Sequence, residues 1–130
     1  MVHTFRLLKA DWGISITIDA EVVTNTNPVN DDSVLLDLEN VNVNKEVREY
    51  LKLGLEWFLK NVDVVSCVNE STLIKIRSIN FHCADYQKEG FFFAMASWAA
   101  KYYGVEMVAY EAFFDRGQNK YIFPLLEKGK

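Results

Sequence analysis

GFFFAMASWAA, residues 90–100, is an apolar run without a charged side chain. A run of this length, followed by Lys101 and Gly104, is typical of a helix that is buried on most of its faces. It is shorter than the roughly 20 apolar residues that a membrane span needs, and the charged pair Lys88 and Glu89 precedes it. The run therefore predicts a central core helix and no transmembrane segment.

Alternation of apolar and polar residues predicts the strands around this helix. Residues 14–22 alternate most cleanly, which is typical of a half-buried strand in an antiparallel sheet. Residues 2–9 predict a preceding strand that forms a hairpin with it, and residues 34–43 predict a strand at a sheet edge. Residues 24–33 are rich in Asn and Asp and predict a loop.

The rest of the chain predicts a further helix and a C-terminal hairpin. Asn44 is a suitable N-cap for a helix over residues 45–61, which carries an apolar stripe opposite charged residues. Asp85 is the predicted cap of the core helix, which is expected to stop at Gly104. Strands are predicted over residues 105–114 and 120–123, on either side of a turn.

The strand predicted over residues 72–83 contains a change of phase. Its apolar residues alternate in one phase before Arg77 and in the other after Ser78, so one extra residue there would return both sets to the core as a β-bulge. The order of elements predicts one α+β domain, residues 1–130, with a mainly antiparallel sheet and two helices packed on one face. A parallel strand pair, if present, is expected within residues 72–114.

Composition and charge exclude several function classes. The 130 residues are 50% hydrophobic and 14% aromatic, which predicts an ordered core. The formal charge of -4 disfavours direct binding of nucleic acid, whose phosphates it would repel. Residues 1–13 contain no long apolar segment typical of a secretory signal, so a cytoplasmic location is predicted.

Reactive side chains are few and do not form a known catalytic or metal-binding pattern. His82, Cys83 and Asp85 form the densest cluster, but neighbouring strand residues point to opposite faces, so His82 and Cys83 do not make a nucleophile and base pair in a regular strand. The chain has neither a C-x-x-C nor an H-x-x-x-H spacing, and its glycines match no phosphate-binding loop. We therefore predict no catalytic residue, no metal and no cofactor.

Acidic residues and one tryptophan are the best candidates for a binding site. Asp31, Asp32, Asp37 and Glu39 lie within a stretch that contains no Lys or Arg, and such a concentration of negative charge speeds association with a basic protein. Trp57 lies beside the charged face of its helix rather than on the core stripe, and tryptophan is enriched in interface hot spots. These five residues are predicted to contact a protein partner.

The acidic pI, the aromatic content and the absence of a recognisable active site resemble those of small cytoplasmic immunity proteins. This group includes the proteins paired with contact-dependent growth inhibition toxins of bacteria. The resemblance spans the whole chain and rests on overall character, so it transfers no individual residue. It implies a non-catalytic protein that binds a cognate toxin, commonly a nuclease, and blocks its active site or substrate surface.

Two other function classes remain open at this point. A small-molecule-binding or catalytic α+β domain would have a pocket between sheet and helices, lined by His82, Cys83, Glu111 and tyrosines. A structural subunit of a larger assembly is the third possibility. A deep polar pocket at His82 would favour the second class, and a tight toxin partner would favour the first.

Overall fold

The computed structural model of the chain describes residues 1–10, 12–25, 34–61, 71–82, 87–106 and 111–127. The strands within these ranges are β1 (Val2–Leu8), β2 (Gly13–Asn25), β3 (Val34–Asp37), β4 (Ser71–Phe81), β5 (Phe113–Asp115) and β6 (Lys120–Ile122). The helices are α1 (Lys45–Asn61), α2 (Glu89–Tyr103) and the short α3 (Pro124–Glu127). The predicted α+β class is confirmed.

The main sheet has the strand order β1-β2-β4-β3. β1 pairs antiparallel with β2, β2 pairs antiparallel with β4, and β3 pairs parallel with β4. The prediction that a parallel pair would fall within residues 72–114 was wrong, because α1 is the crossover that makes β3 and β4 parallel. β5 and β6 form a separate two-stranded sheet.

The predicted β-bulge in β4 is confirmed. Asp19 faces Ser78 and the next residue of β2, Ala20, faces Ile76, so Arg77 is the extra residue. Before the bulge Ile74 and Ile76 are fully buried, and after it the side chains of Ile79 and Phe81 also pack against the core. The extra residue thus keeps both apolar sets on the face that the helices cover.

The two long helices pack on this one face of the sheet, as predicted. Phe93 of α2 stacks on Phe5 of β1 with ring centroids 6.3 Å apart, and Phe91 meets Phe81 of β4 edge to face at 5.1 Å. The prediction of a helix buried on most faces is confirmed, since only one residue between Gly90 and Ala100 is more than slightly exposed. The buried residues are Gly90, Phe91, Phe92, Phe93, Ala94, Met95, Ala96, Trp98, Ala99 and Ala100.

Helices α1 and α2 approach closely where Gly54 meets Phe92. A Cβ atom built on Gly54 would lie 2.2 Å from the main-chain oxygen of Phe92, so only hydrogen fits at this position. This contact involves backbone on both sides and leaves little room for adjustment. Gly54 therefore sets the distance between the two helices.

Some helix ends follow the predictions and others do not. The range of α1 is as predicted, and Asn44 caps it, because its Oδ1 accepts a hydrogen bond of 2.9 Å from the Val47 N–H. Gly104 ends α2 in the left-handed conformation with φ of 68°. The predicted cap Asp85 was wrong: the N-cap position is Lys88, and Asp85 lies outside the described residues.

Two predicted strands are shorter than expected. β3 ends at Asp37 instead of residue 43, because the Asp37 carboxylate accepts a 2.9 Å hydrogen bond from the Glu39 N–H and turns the chain. The strand predicted over residues 105–114 is seen only at its end, in β5, and residues 107–110 lie outside the described part. The sequence did not predict α3, which begins at Pro124, a residue favoured at the first helical position.

The C-terminal hairpin is attached to the domain by a side-chain amide that makes the same pair of main-chain hydrogen bonds as a neighbouring strand would. The Gln87 amide donates a hydrogen bond of 2.6 Å to the Tyr121 main-chain oxygen and accepts one of 2.7 Å from the Tyr121 N–H. The Tyr121 hydroxyl, itself buried, accepts from the Lys9 N–H and donates to the Trp12 main-chain oxygen, both at 2.8 Å. The hairpin is thereby tied both to the start of α2 and to the β1–β2 turn.

Candidate functional site

The structure describes three of the five predicted contact residues. Asp37 ends β3 and Glu39 lies in the turn that follows it, while Trp57 lies in the fourth turn of α1. Asp31 and Asp32 lie outside the described residues. The prediction that these five residues contact a partner stays a prediction.

Asp37 has a basic neighbour that the local sequence does not show. The strand register places Lys75 of β4 beside Asp37 of β3 and, on its other side, beside Glu21 of β2. Residues paired in this way project from the same face of the sheet. Lys75 therefore lies between two carboxylates, so this row of three side chains carries a small negative charge rather than a large one.

The negative charge of the chain is not distributed over the described framework. The described residues contain as many Asp and Glu as Lys and Arg, so the net charge of -4 comes from the remaining segments. Residues 26–33 and 62–70 contain only acidic charged side chains. The first segment joins Asn25 to Val34 and the second precedes Ser71.

These segments are attached to one end of the main sheet. Asn25 of β2 pairs with Ser71 of β4, and Val34 of β3 pairs with the following residue, Thr72. The end of β2 and the starts of β3 and β4 therefore lie side by side. Asp32 is two residues from Val34, and Glu70 is bonded to Ser71. We call the end of the sheet where β2 ends and β3 and β4 begin the acidic end. Asp37 is at the opposite end of β3, about 10 Å from the acidic end at 3.3 Å per residue.

Trp57 lies on a groove between the helices. Its ring packs on Phe92 at a centroid distance of 5.8 Å, and the groove has a volume of about 430 Å³. Leu53 is 49% exposed at the groove, although it is a large apolar residue. The lining residues come from α1, α2 and α3: Tyr50, Leu53, Glu56, Trp57, Lys60, Asn61, Phe92, Leu125 and Leu126.

Trp57 and the acidic residues of β3 do not share one groove. A second groove, of about 270 Å³, separates α1 from β3 and is lined by Leu35, Leu36, Lys52, Leu55 and Glu56. Glu56 lines both grooves, so they flank α1 on opposite sides. Trp57 therefore faces α3 across one groove, whereas β3 lies across the other.

The alternative catalytic hypothesis rests on residues that follow β4 and precede β5. His82 is exposed just after β4, and Glu111 is exposed shortly before β5. Cys83 lies outside the described residues. The groove of about 430 Å³ is lined by Trp57 and leucines, and His82 is not among its lining residues.

His3 makes the one contact between an imidazole and a hydroxyl that the described residues show. Its Nε2 lies 3.1 Å from Ser97 Oγ, and Ser97 donates its own hydrogen to the Ala94 main-chain oxygen at 3.1 Å. The direction of the hydrogen bond between His3 and Ser97 depends on the tautomer of the imidazole. In either direction the contact fastens β1 to α2.

The His3 contact predicts a dependence of stability on pH. Burial, with the nearby Lys101 ammonium as a second cause, lowers the pKa of His3 below its ordinary value of 6.5. As pH falls through the ordinary value, the unfolded chain therefore binds a proton before the folded one does, and the free energy of unfolding decreases. This decrease is expected to be smaller in His3→Gln than in the wild type, in denaturant unfolding between about pH 7.5 and pH 5.

The same replacement at the exposed His82 is the control for this measurement. Equal pH dependence in His3→Gln and wild type would contradict the assignment of the effect to His3.

Searches for more specific relationships and sites gave negative results. No family model matches the chain, and neither the curated proteins nor the solved structures contain a significant match. Among the described residues, no group of three or more His, Cys, Asp or Glu is placed to hold a metal ion. In the same part of the chain, no helix has the length and apolar character needed to cross a membrane.

Sequence reasoning identified Trp57 but not the groove around it. The spacing of Leu53 and Trp57 off the core stripe was the available signal, and both residues do line the groove. The opposite wall comes from Leu125 and Leu126 of α3, a helix of four residues that is too short to show a periodic pattern. The groove could therefore not be derived from sequence.

Proposed function

We propose that the protein is a non-catalytic binding protein that neutralises a cognate toxin by holding a basic domain of that toxin against its acidic end. The single observation that carries the proposal is the charge distribution. A neutral framework brings the end of β2 and the starts of β3 and β4 side by side, where the acid-only segments are attached. Charge concentrated in this way attracts a basic surface and orients it during encounter.

The proposed contacts are Asp31 and Asp32, in the acid-only segment before β3, together with Asp37 at the far end of β3 and Glu39 in the turn after it. Asp37 and Glu39 have described positions, and Lys75 beside Asp37 offsets part of their charge. Trp57 stays a predicted contact. Its side chain lines the groove on one side of α1, whereas β3 lies across the groove on the other side, so one flat partner surface would not reach both Trp57 and β3. The resemblance to immunity proteins supports the toxin as partner, and the negative charge suits a basic nuclease domain.

Association kinetics with a purified basic nuclease domain of the proposed toxin test the proposal. Reversal of Asp37 and Glu39 to Lys is expected to slow association about tenfold at low salt, because it removes attraction during encounter. Association of the wild type is also expected to slow as ionic strength rises, because salt screens the attraction and the Debye length is only about 8 to 10 Å at 0.15 to 0.1 M. The association and dissociation rate constants are measured by binding to the toxin domain immobilised on a surface.

The matched control is reversal of Glu106 and Glu111 to Lys, which changes the net charge equally. Both residues are exposed, and they lie between the end of α2 and β5. The control is expected to slow association much less than the β3 variant. Equal effects of the two variants would show that only net charge matters, and no effect of either would overturn the proposed surface.

A second candidate function is the binding of a small apolar molecule in the Trp57 groove. The volume of about 430 Å³ is the observation that favours it, because ligand pockets span roughly 300 to 1,000 Å³. The site would then be at Trp57 rather than at His82. A ligand that quenches the fluorescence of wild type but not of Trp57→Phe would support this function.

A further inference from the structure

The outer face of α1 carries a pattern that is complementary to itself. Glu49, Leu53, Glu56 and Lys60 are exposed and follow one another at intervals of four, three and four residues, which places them in one line along the helix. Lys52 lies on one side of this line and Trp57 on the other. We call these six residues the outer face of α1.

Opposite charges alternate along this face in an order that suits an antiparallel copy. If a second α1 runs antiparallel, with a two-fold axis beside the midpoint of Gly54 and Leu55, Glu49 meets Lys60 of the partner subunit. Symmetry then makes Lys60 meet Glu49 of the partner subunit. In a parallel pair, Glu49 would meet Glu49 of the partner subunit and Lys60 would meet its own copy, so like charges would face each other.

The two sides of the line match in the same way. A two-fold axis perpendicular to both helices places each side of the outer face next to the same side of the outer face in the partner subunit. Lys52 therefore lies beside Glu56 of the partner subunit. On the other flank, Leu53 lies beside Trp57 of the partner subunit. Each of these contacts occurs twice. The exposed Leu53 side chain would then enter the groove that Trp57 lines on the opposite copy, which covers apolar surface that is open to solvent in one chain.

We propose that two copies of this chain associate through the outer face of α1, as an antiparallel and two-fold symmetric helix pair. The proposal rests on the charge order of α1 and on the exposed Leu53, and it is independent of the proposed function. α1 has 17 residues and is about 25 Å long at 1.5 Å per residue. A single helix pair of this length is smaller than a standard interface of about 800 Å² per partner, so a weak dimer is expected.

Sedimentation of the purified chain over a range of concentrations tests the proposal. The average mass is expected to rise above the 15.0 kDa of one chain as concentration increases, within the range from about 10 µM to about 1 mM. Added salt is expected to weaken the dimer, because its charged pairs are exposed at the rim. A mass of one chain at every concentration would overturn the proposal.

Charge exchange identifies the face and the orientation. Glu49→Lys turns both symmetric pairs with Lys60 into like-charge pairs, and Lys60→Glu does the same with Glu49. Each single reversal is expected to weaken dimerisation about tenfold, because both symmetric pairs change from attraction to repulsion. The double variant Glu49→Lys with Lys60→Glu restores opposite pairs and is expected to recover the wild-type dimer.

Leu53→Ala is expected to weaken the dimer, whereas Leu8→Ala, at an exposed leucine of β1, is the matched control. Circular dichroism of each variant verifies that α1 still folds. A dimer that resists both single reversals, or a double variant that fails to recover, would overturn the antiparallel arrangement. If Trp57 is covered by a second copy, Trp57→Ala reduces dimerisation, whereas a dimer of unchanged strength in this variant would place Trp57 outside the interface.

Discussion

Replacing Trp98 by alanine is expected to lower the free energy of unfolding by about 3 to 5 kcal/mol, the typical cost of removing a large aromatic side chain from a core. Trp98 is fully buried in α2, and its ring stacks on Tyr102 at a centroid distance of 5.5 Å. Its Nε1–H also donates a hydrogen bond of 2.9 Å to the Met1 main-chain oxygen. The replacement therefore leaves a cavity and removes one of two hydrogen bonds to the Met1 oxygen, which still accepts one of 3.1 Å from the Ala20 N–H.

Denaturant unfolding followed by far-UV circular dichroism measures this loss, and Trp98→Phe is the informative control. Phenylalanine keeps most of the apolar volume but lacks the donor, so its cost is expected to lie between wild type and alanine. A Trp98→Ala variant that unfolds at the wild-type denaturant concentration would show that the ring is not part of the core.

Replacing Gly54 by alanine is expected to destabilise the fold by about 2 kcal/mol or more, although alanine favours helix formation by about 1 kcal/mol over glycine. The new Cβ would lie 2.2 Å from the Phe92 main-chain oxygen and 2.9 Å from its carbonyl carbon. Both contacts are with backbone, so α1 and α2 must move apart. The loss of packing along their interface outweighs the gain in helix propensity.

Thermal and denaturant unfolding of Gly54→Ala test this expectation against Lys52→Ala, a change at an exposed position two residues earlier in α1. The control is expected to stay within about 0.5 kcal/mol of wild type, which is usual for surface substitutions. A Gly54→Ala variant more stable than wild type would mean that the helices are not held at this distance.

Local patterns in the chain predicted much of the fold, since a half-buried sheet imposes alternation on its residues. Ile14, Ile16 and Ile18 identify the buried face of β2, and the change of phase around Arg77 identifies the bulge. The pattern was misleading after Asp37, because Leu38 and Val41 are buried without being in a strand. Burial alone does not distinguish a strand from a coil that covers the core.

The candidate site was less predictable than the fold because it depends on contacts between distant segments. The charge of Asp37 is moderated by Lys75, and only the register of β3 on β4 brings these two residues together. In the same way, Trp57 could be recognised as lying off the core stripe, but not as facing α3. Neither relation has a local signature in the sequence.

The central position of β4 in the sheet has a consequence for the order of events during synthesis. β1 and β2 are neighbours in sequence and can pair as soon as they leave the ribosome, whereas β2 and β3 both wait for β4, which follows α1. Until Ser71–Phe81 has emerged, the edge of β2 that β4 later covers is open, and β3 has no partner strand in the sheet. A nascent chain of this topology is therefore most exposed to intermolecular strand pairing just before β4 is made.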